Sequence, residues 1–425
     1  MMTLQERVHG VKPPKDWPLN KLHHVFTVRK NNKNTGMLND NLLSLSYGRI
    51  IDKNIDTTEG LLPESFETYQ IVYPGDIVMR LTDLQNDKRS IRQGLVKEKG
   101  IITSAYDAVY PAKGHDPRYW AYTLLALDLA KYYYSMGGGV RQSIKFKDFP
   151  NDWLHAPSYD KQKEIADFLD HETSRIDQLI EKKWTLIETL PLRVEAIIDK
   201  ALSTPDTKWF RFGHAAKMVI RPVNRQDNQT YVAIGLYNRG RGIFHKEETQ
   251  GQDLGDSTFN WIKPNDLIFS GQFAWEGAVS LASEREDNKI ASHRYPIYNA
   301  RDGIESAYLF SYFRTHRGKF LMNDCSRGAA GRNRPLNTNR LEKEQIPIPS
   351  SSIQKQVVGL VQQEDLLKAK ITESIQRLNS FRASLVTEAV TGQLDINAWQ
   401  KRGTENHYID KIEQEMKQKK SKARG

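Results

Sequence analysis

A single cysteine, Cys325, stands in 425 residues. That excludes an internal disulfide framework and any cysteine-built zinc cluster, and it points to a reducing compartment. No window approaches 18 unbroken apolar residues, and the N-terminal MMTLQERVHGVKPPKDWP has no apolar core of signal-peptide length. The chain is therefore expected to be soluble and cytoplasmic, with no membrane partner. A GxxxxGK(S/T) phosphate loop is absent, so the chain is not expected to hydrolyse ATP by itself. The Asp/Asn-Pro-Pro-Tyr/Phe tetrapeptide that amino-methyltransferases place beside a flipped base is missing too. The eleven histidines show no HExxH or comparable ligand spacing. These absences describe a binder, with no catalytic residue, no metal site and no cofactor of its own.

What is present begins with charge. The 62 Lys and Arg against 52 Asp and Glu leave a net +10 at pH 7, which favours a polyanionic partner. The length accommodates two or three domains, each with a core. The chain is also repeated. Gln162 in DKQKEI answers Gln354 in SIQKQV at a distance of 192 residues, and the prolines before them, Pro157 and Pro349, keep that offset. Trp17 in KDWPLNKLHHV stands opposite Trp209 in TKWFRFGHAAKMV, again 192 apart. Asp76 of VYPGDIVM matches Asp266 of IKPNDLIF at 190, and Ser104 of ITSAYDAVYPA matches Ser292 of IASHRYPIYNA at 188. SMGGGVRQSI matches SRGAAGRNRP at about 191. Five pairs in one order mean duplication of a unit of roughly 190 residues.

Within each copy the pattern changes once. From about 17 to 155, and again from 209 to 348, β-type runs such as YQIVY, DIVM, ITSAYDAVY and DLIF alternate with Gly, Pro, Asn and Asp turns. One helical stretch interrupts each, RYWAYTLLALDLAKYYYS and ESAYLFSYFRTHRGKFLMN, which makes the globular halves α+β. After Pro157 and after Pro349 the apolar spacing becomes helical for about 40 residues or more, enough for helices on the order of 60 Å long. Such stripes must be buried, and each helix is expected to pair antiparallel with its own repeat about an internal pseudo-twofold axis, in coiled-coil fashion. The alternative is that each helix packs on its own globular half. Pro191 is expected to kink or break the first helix. Pro205 and Gly392 mark helix ends. The segments are then 1–155, 156–204 (first long helix), 205–348, 349–394 (second long helix) and a basic C-terminal tail, 395–425.

Two motifs weaken on inspection. SMGGGVRQ is glycine-rich but does not open a helix after a strand as a dinucleotide loop does, and reads as a surface loop. Asp266, Asp287 and Lys289 imitate the carboxylates and lysine of a metal-dependent nuclease, but the aligned KEK at 97–99 lacks an acid in the needed position, and both PGD and PND look like turns.

Taken together, the order W, PGDI/PNDL, strand, GGGVRQ/GAAGRN, P-x-x-x-x-Q-x-x-I/V, long helix, TG resembles the specificity subunits of type I restriction-modification systems over nearly the whole chain. PSYDKQKEIADFLDHETSRIDQLIEKK and SLVTEAVTGQLD carry it most strongly. The resemblance implies two target recognition domains, at 1–155 and 205–348. Each would read one half of a bipartite, asymmetric site in double-stranded DNA, with the paired helices setting the unread spacer. It implies two methyltransferase subunits docked on the helices and restriction subunits carrying motor and nuclease activity. S-adenosylmethionine, ATP and magnesium would then belong to those partners, and the complex would act as an adenine-specific DNA methyltransferase and ATP-dependent endonuclease. A DNA-binding scaffold or regulator working without such partners is the alternative.

Candidates for DNA contact combine charge or amide groups with glycine-loosened loops: Arg80, Arg89, Arg92, Arg141, Gln142 and Lys145 in the first copy, Arg239, Arg241, Arg327, Arg332, Asn333 and Arg334 in the second. Arginine pairs with guanine edges and Asn or Gln with adenine, though phosphate contacts use the same residue types. The surroundings of Arg141 and Arg332 fall at matching places in both copies. Tyr132 to Tyr134 and Trp275 read as packing, and the tail KQKKSKARG as a phosphate-binding arm or a solubilising end.

Overall fold

The structure, a computed structural model, describes residues 2–56, 65–84, 91–136, 143–149, 151–326 and 334–401. It divides into two compact units, Met1–Lys183 with Ser374–Gly425, and Trp184–Glu373.

Each unit is built round a four-stranded antiparallel sheet. In the first the order is Phe26–Val28, Asp107–Pro111, Ile77–Met79, Gln93–Leu95. In the second it is Ala216–Met218, Ile297–Ala300, Leu267–Phe269, Val279–Leu281. The central strands are unbroken apolar triplets because both faces are covered. Ile77 and Met79 face Tyr119, Trp120 and Leu124 of the helix Pro117–Leu129, while Val78 points the other way, towards Leu43, Val72 and Ile102. Leu267 and Phe269 likewise meet Tyr308, Leu309 and Phe313 of the helix Ser306–Arg314, and Ile268 joins Ile234 and Ile262. The period of two along a strand produces this division.

On the second face the copies differ. The first carries two strand pairs, Leu43–Ser46 with Arg49–Asp52 and Gln70–Val72 with Gly100–Ile102. The second joins the equivalents into one sheet with a longer hairpin, Thr230–Leu236 and Ile243–Gln250. A strand pair closes each copy, Leu19–Lys21 on Trp153–His155 and Lys208–Arg211 on Gln345–Ile348, so the first and last strands meet just before a long helix begins.

Those helices are Tyr159–Leu202 and Ser351–Val390. In the first unit Ile165, Phe168, Leu169, Ile176 and Leu179 share a core with Leu378, Leu385, Val386 and Ala389 and with the sheet's helix. Asp177 reaches Arg382 at 3.4 Å, while Val390 O accepts from Tyr119, whose neighbour Arg118 grips Asp167 near the start of the first long helix, so the two helical halves run antiparallel. In the second unit Val194, Ile198 and Leu202 pack with Val357 and Val361 and with the globular core. Both expected modes of burial therefore operate at once, and the compact units cut through the helices instead of following their ends.

Four sequence expectations change. The break expected at Pro191 does not occur, and the helix runs on through it: burying Val194, Ile198 and Leu202 beyond it contributes about 1.5–3 kcal/mol each, against about 3 kcal/mol for an internal proline. The second copy's helical stretch splits into Ser306–Arg314 and His316–Asp324, because Thr315 is extended (φ −67°, ψ 164°) and its hydroxyl caps Gly318 N–H at 3.2 Å. Gly318 is needed there, since a Cβ would lie 2.3 Å from the Tyr312 carbonyl oxygen. Trp17 and Trp209 are not equivalent: Trp17 precedes its strand and is buried, whereas Trp209 lies within one and is half exposed. Finally, the segment after 395 starts with a helix, Ile396–Lys401, whose Ile396 is buried in the first core. Gly392 ends the second long helix as expected, left-handed at φ 74° with Gln393 N–H returning to Glu388 O at 2.8 Å.

Candidate nucleic-acid interface

Each copy holds a polar frame beneath the turn that enters its central strand. Asp76 is fully buried and accepts from Arg29 Nη2 at 2.7 Å, Arg29 Nε at 2.9 Å and Tyr73 N–H at 2.9 Å. Arg29 lies between the rings of Tyr73 and Tyr110 and holds its proton more tightly than usual, chiefly through the Asp76 hydrogen bonds. Asp266, also fully buried, accepts from Arg221 at 2.7 and 3.0 Å, Asn299 Nδ2 at 2.7 Å and Lys263 N–H at 2.8 Å. The nuclease-like carboxylate is thus a structural one. Asp287, its supposed companion, pairs with Lys263 at 2.9 Å.

Beyond the frame, the same backbone anchor recurs. Ile144 N–H donates to Leu81 O at 2.9 Å, and Leu336 N–H donates to Gly271 O at 2.8 Å. The residues following both glycine-rich stretches are therefore pinned to the exit of the central strand in each copy. The stretches themselves, with Arg141, Gln142, Arg327, Arg332 and Asn333, lie outside the described residues, as do Arg89 and the KQKKSKARG tail.

Six candidates are described. Arg80 is half-buried beside the anchor, its N–H donating to Arg92 O at 2.6 Å. Arg92 is a correction: it is 0% exposed, donating to Tyr134 Oη at 3.1 Å, Thr82 O at 3.0 Å and Asp83 O at 3.3 Å. A guanidinium so enclosed braces the strand exit and does not reach a base. Lys145 is half-exposed, tied to Asp107 at 3.2 Å and Ala105 O at 3.3 Å.

In the second copy Arg239, Arg241 and Arg334 are all exposed, and the fold brings them to one locality. Arg239 sits at φ 62° in the turn Asn238–Gly240, which is fastened to the neighbouring turn by Gly240 N–H donating to Gly277 O at 2.7 Å and by an Asn238–Glu276 side-chain bond. That neighbouring turn carries Trp275, whose ring lies 5.1 Å from the Arg334 guanidinium. Arg241 stands over Tyr237 at 5.4 Å. Sequence reasoning passed over Tyr237 and Phe273, 45% and 43% exposed beside these arginines; the alternation of aromatic, Asn, Arg and Gly in LYNRGRG was the available signal. Tyr132 and Tyr133 are buried, burial raising the Tyr133 phenol well above its ordinary range. Trp275 has its indole nitrogen buried. All three belong to packing.

Among the described residues no group of three or more His, Cys, Asp or Glu could hold a metal ion, and no helix is long and apolar enough to cross a membrane. No family model matches the sequence, and no curated protein matches it. Solved structures do. A chain from a type I R-M system, solved for its complex assembly and conformational transition, superposes with a TM-score of 0.62 at 13% identity, over 90% of this chain and 100% of that one. The HsdS subunit from Thermoanaerobacter tengcongensis gives 0.49 at 13% identity, over 90% and 99%. The S subunit of a type I system from M. genitalium gives 0.42 at 11%, over 89% and 99%. The first of these likenesses establishes a shared fold.

Proposed function

We propose that the chain is the DNA-recognition subunit of a type I restriction-modification complex. Each globular half reads one half of a bipartite, asymmetric site, the long helices set the spacer, and two methyltransferase subunits dock on them, with restriction subunits completing the assembly. The chain itself performs no catalysis in this reading. S-adenosylmethionine, ATP and magnesium act in the partners.

The observation that carries the proposal is the likeness to a type I R-M chain along that chain's full length. The net charge of +10 and the exposed arginines round Trp275 support it. The two readers share one frame yet differ on the second face of their sheets, as two domains for two different half-sites would.

Exchanging residues 17–155 for the corresponding domain of another specificity subunit, followed by sequencing of methylated adenines in the host's DNA, tests it. One half-site should change and the other stay. A change in both halves, or specific methylation by the purified chain alone, refutes the proposal.

A further inference from the structure

We propose that Gln162 and Gln354 are positioning residues that lock each reader onto the first turn of its long helix and so determine which spacer lengths the chain accepts; this rests on the reading above. Glutamine is mostly a surface residue, yet these two are 2% and 1% exposed. Burial at that level requires hydrogen-bonding partners, and two of the partners correspond in the two copies. Gln162 Nε2 donates to Pro157 O at 2.9 Å, and its Oε1 accepts from Asp116 N–H at 3.0 Å. Gln354 Nε2 donates to Pro349 O at 3.0 Å and Gly303 O at 3.2 Å, and its Oε1 accepts from Glu305 N–H at 3.0 Å. Asp116 and Glu305 are the N-caps of the helices Pro117–Leu129 and Ser306–Arg314, which back the two sheets.

One amide thus ties together three pieces of backbone: the start of the reader's own helix, the junction proline, and the long helix. The surrounding clasps are not repeated. Arg118 grips Asp167 and Asp170 at 2.7 and 2.8 Å in the first copy, whereas Arg314 grips Asp365 at 2.6 and 2.7 Å in the second. The three aspartates of these clasps, Asp167, Asp170 and Asp365, are about half exposed, the kind of partner that salt screens, so the buried glutamine is the stiff element of each joint. Stiffness matters because one base pair of spacer displaces a half-site by about 3.4 Å along the DNA axis and rotates it by about 35°. A joint that holds its angle rejects such neighbours, and a loosened one accepts them.

The test uses the full chain with its co-purified subunits. Binding is measured to duplexes carrying the two half-sites obtained from methylated host DNA, with spacers of the natural length and one and two base pairs to either side. Gln162→Ala and Gln354→Ala should keep both half-sites while the preference for the natural spacer over its neighbours narrows by about tenfold, the equivalent of one buried hydrogen bond. A purely structural role would lower affinity at every spacer alike, leaving the ratios unchanged, and that result overturns the inference. Should an alanine variant fail to fold, Gln→Glu keeps the acceptor for the N-cap while losing donation to the proline carbonyl, and is judged by the same ratios. If the unmodified chain shows no bipartite site at all, the functional reading fails, separately from the inference.

Discussion

Replacing Asp266 by asparagine probes the frame beneath the second reader. The carboxylate is fully buried and accepts from Arg221, Asn299 and the Lys263 N–H. In Asp266→Asn one of those acceptor positions becomes a donor facing donors, and Arg221 loses its counter-charge. Breaking a buried pair costs about 3–5 kcal/mol. Arg221 keeps 27% of its side chain in water, which recovers part of its hydration and places the expected cost near the lower limit, about 3 kcal/mol. At about 2–4 °C per kcal/mol for a unit of this size, the melting temperature should fall by about 6–12 °C. The assay pairs a thermal melt with hydrogen exchange. Protection should be lost in Leu267–Phe269 and Ile297–Ala300, while Ile77–Met79 and Asp107–Pro111 keep theirs. Adding Arg221→Met should restore part of the loss, because the stranded charge is gone. A melting temperature lowered by less than about 2 °C, below the effect of a single kcal/mol, or protection lost equally in both units, would refute the reasoning.

Two further outcomes follow from the side chains described. Arg92→Ala should destabilise the first unit while leaving the salt dependence of DNA binding unchanged, whereas Arg241→Ala should reduce the slope of log affinity against log salt by about one; equal slopes for both variants contradict the burial argument. Burial lowers the pKa of His115 from 6.5, and its Nδ1 accepts from the Trp120 indole at 3.2 Å. The neutral form therefore contributes stability that is present above pH 6.5 and lost as pH falls through the folded pKa. Denaturant midpoints at pH 7.5 and 5.5 should differ less in His115→Gln than in the unaltered chain, and an equal difference in both counts against it.

Much of this architecture was legible before any coordinates. Duplication showed in Gln162 and Gln354, and helical periodicity after Pro157 and Pro349 located both long helices. What escaped depended on contacts distant in sequence. Arg92 looked like any arginine near a loop, because only the fold delivers the Thr82 and Asp83 carbonyls that enclose it. Pro191 carried a strong local signal against helix that tertiary burial overrode. Trp17 and Trp209 aligned by residue type, yet the same ring serves as core in one place and surface in the other. Arg239 with Arg241, Trp275, and Arg334 come from three separate stretches, and no spacing rule joins them.

The anchors from Ile144 to Leu81 and from Leu336 to Gly271 use backbone atoms alone. Such a fastening is indifferent to the side chains it carries. Substitutions of the side chains at Leu81, Ile144 and Leu336 can therefore accumulate without removing the fastening. Because each copy has its own fastening, the two halves of the chain are free to drift independently.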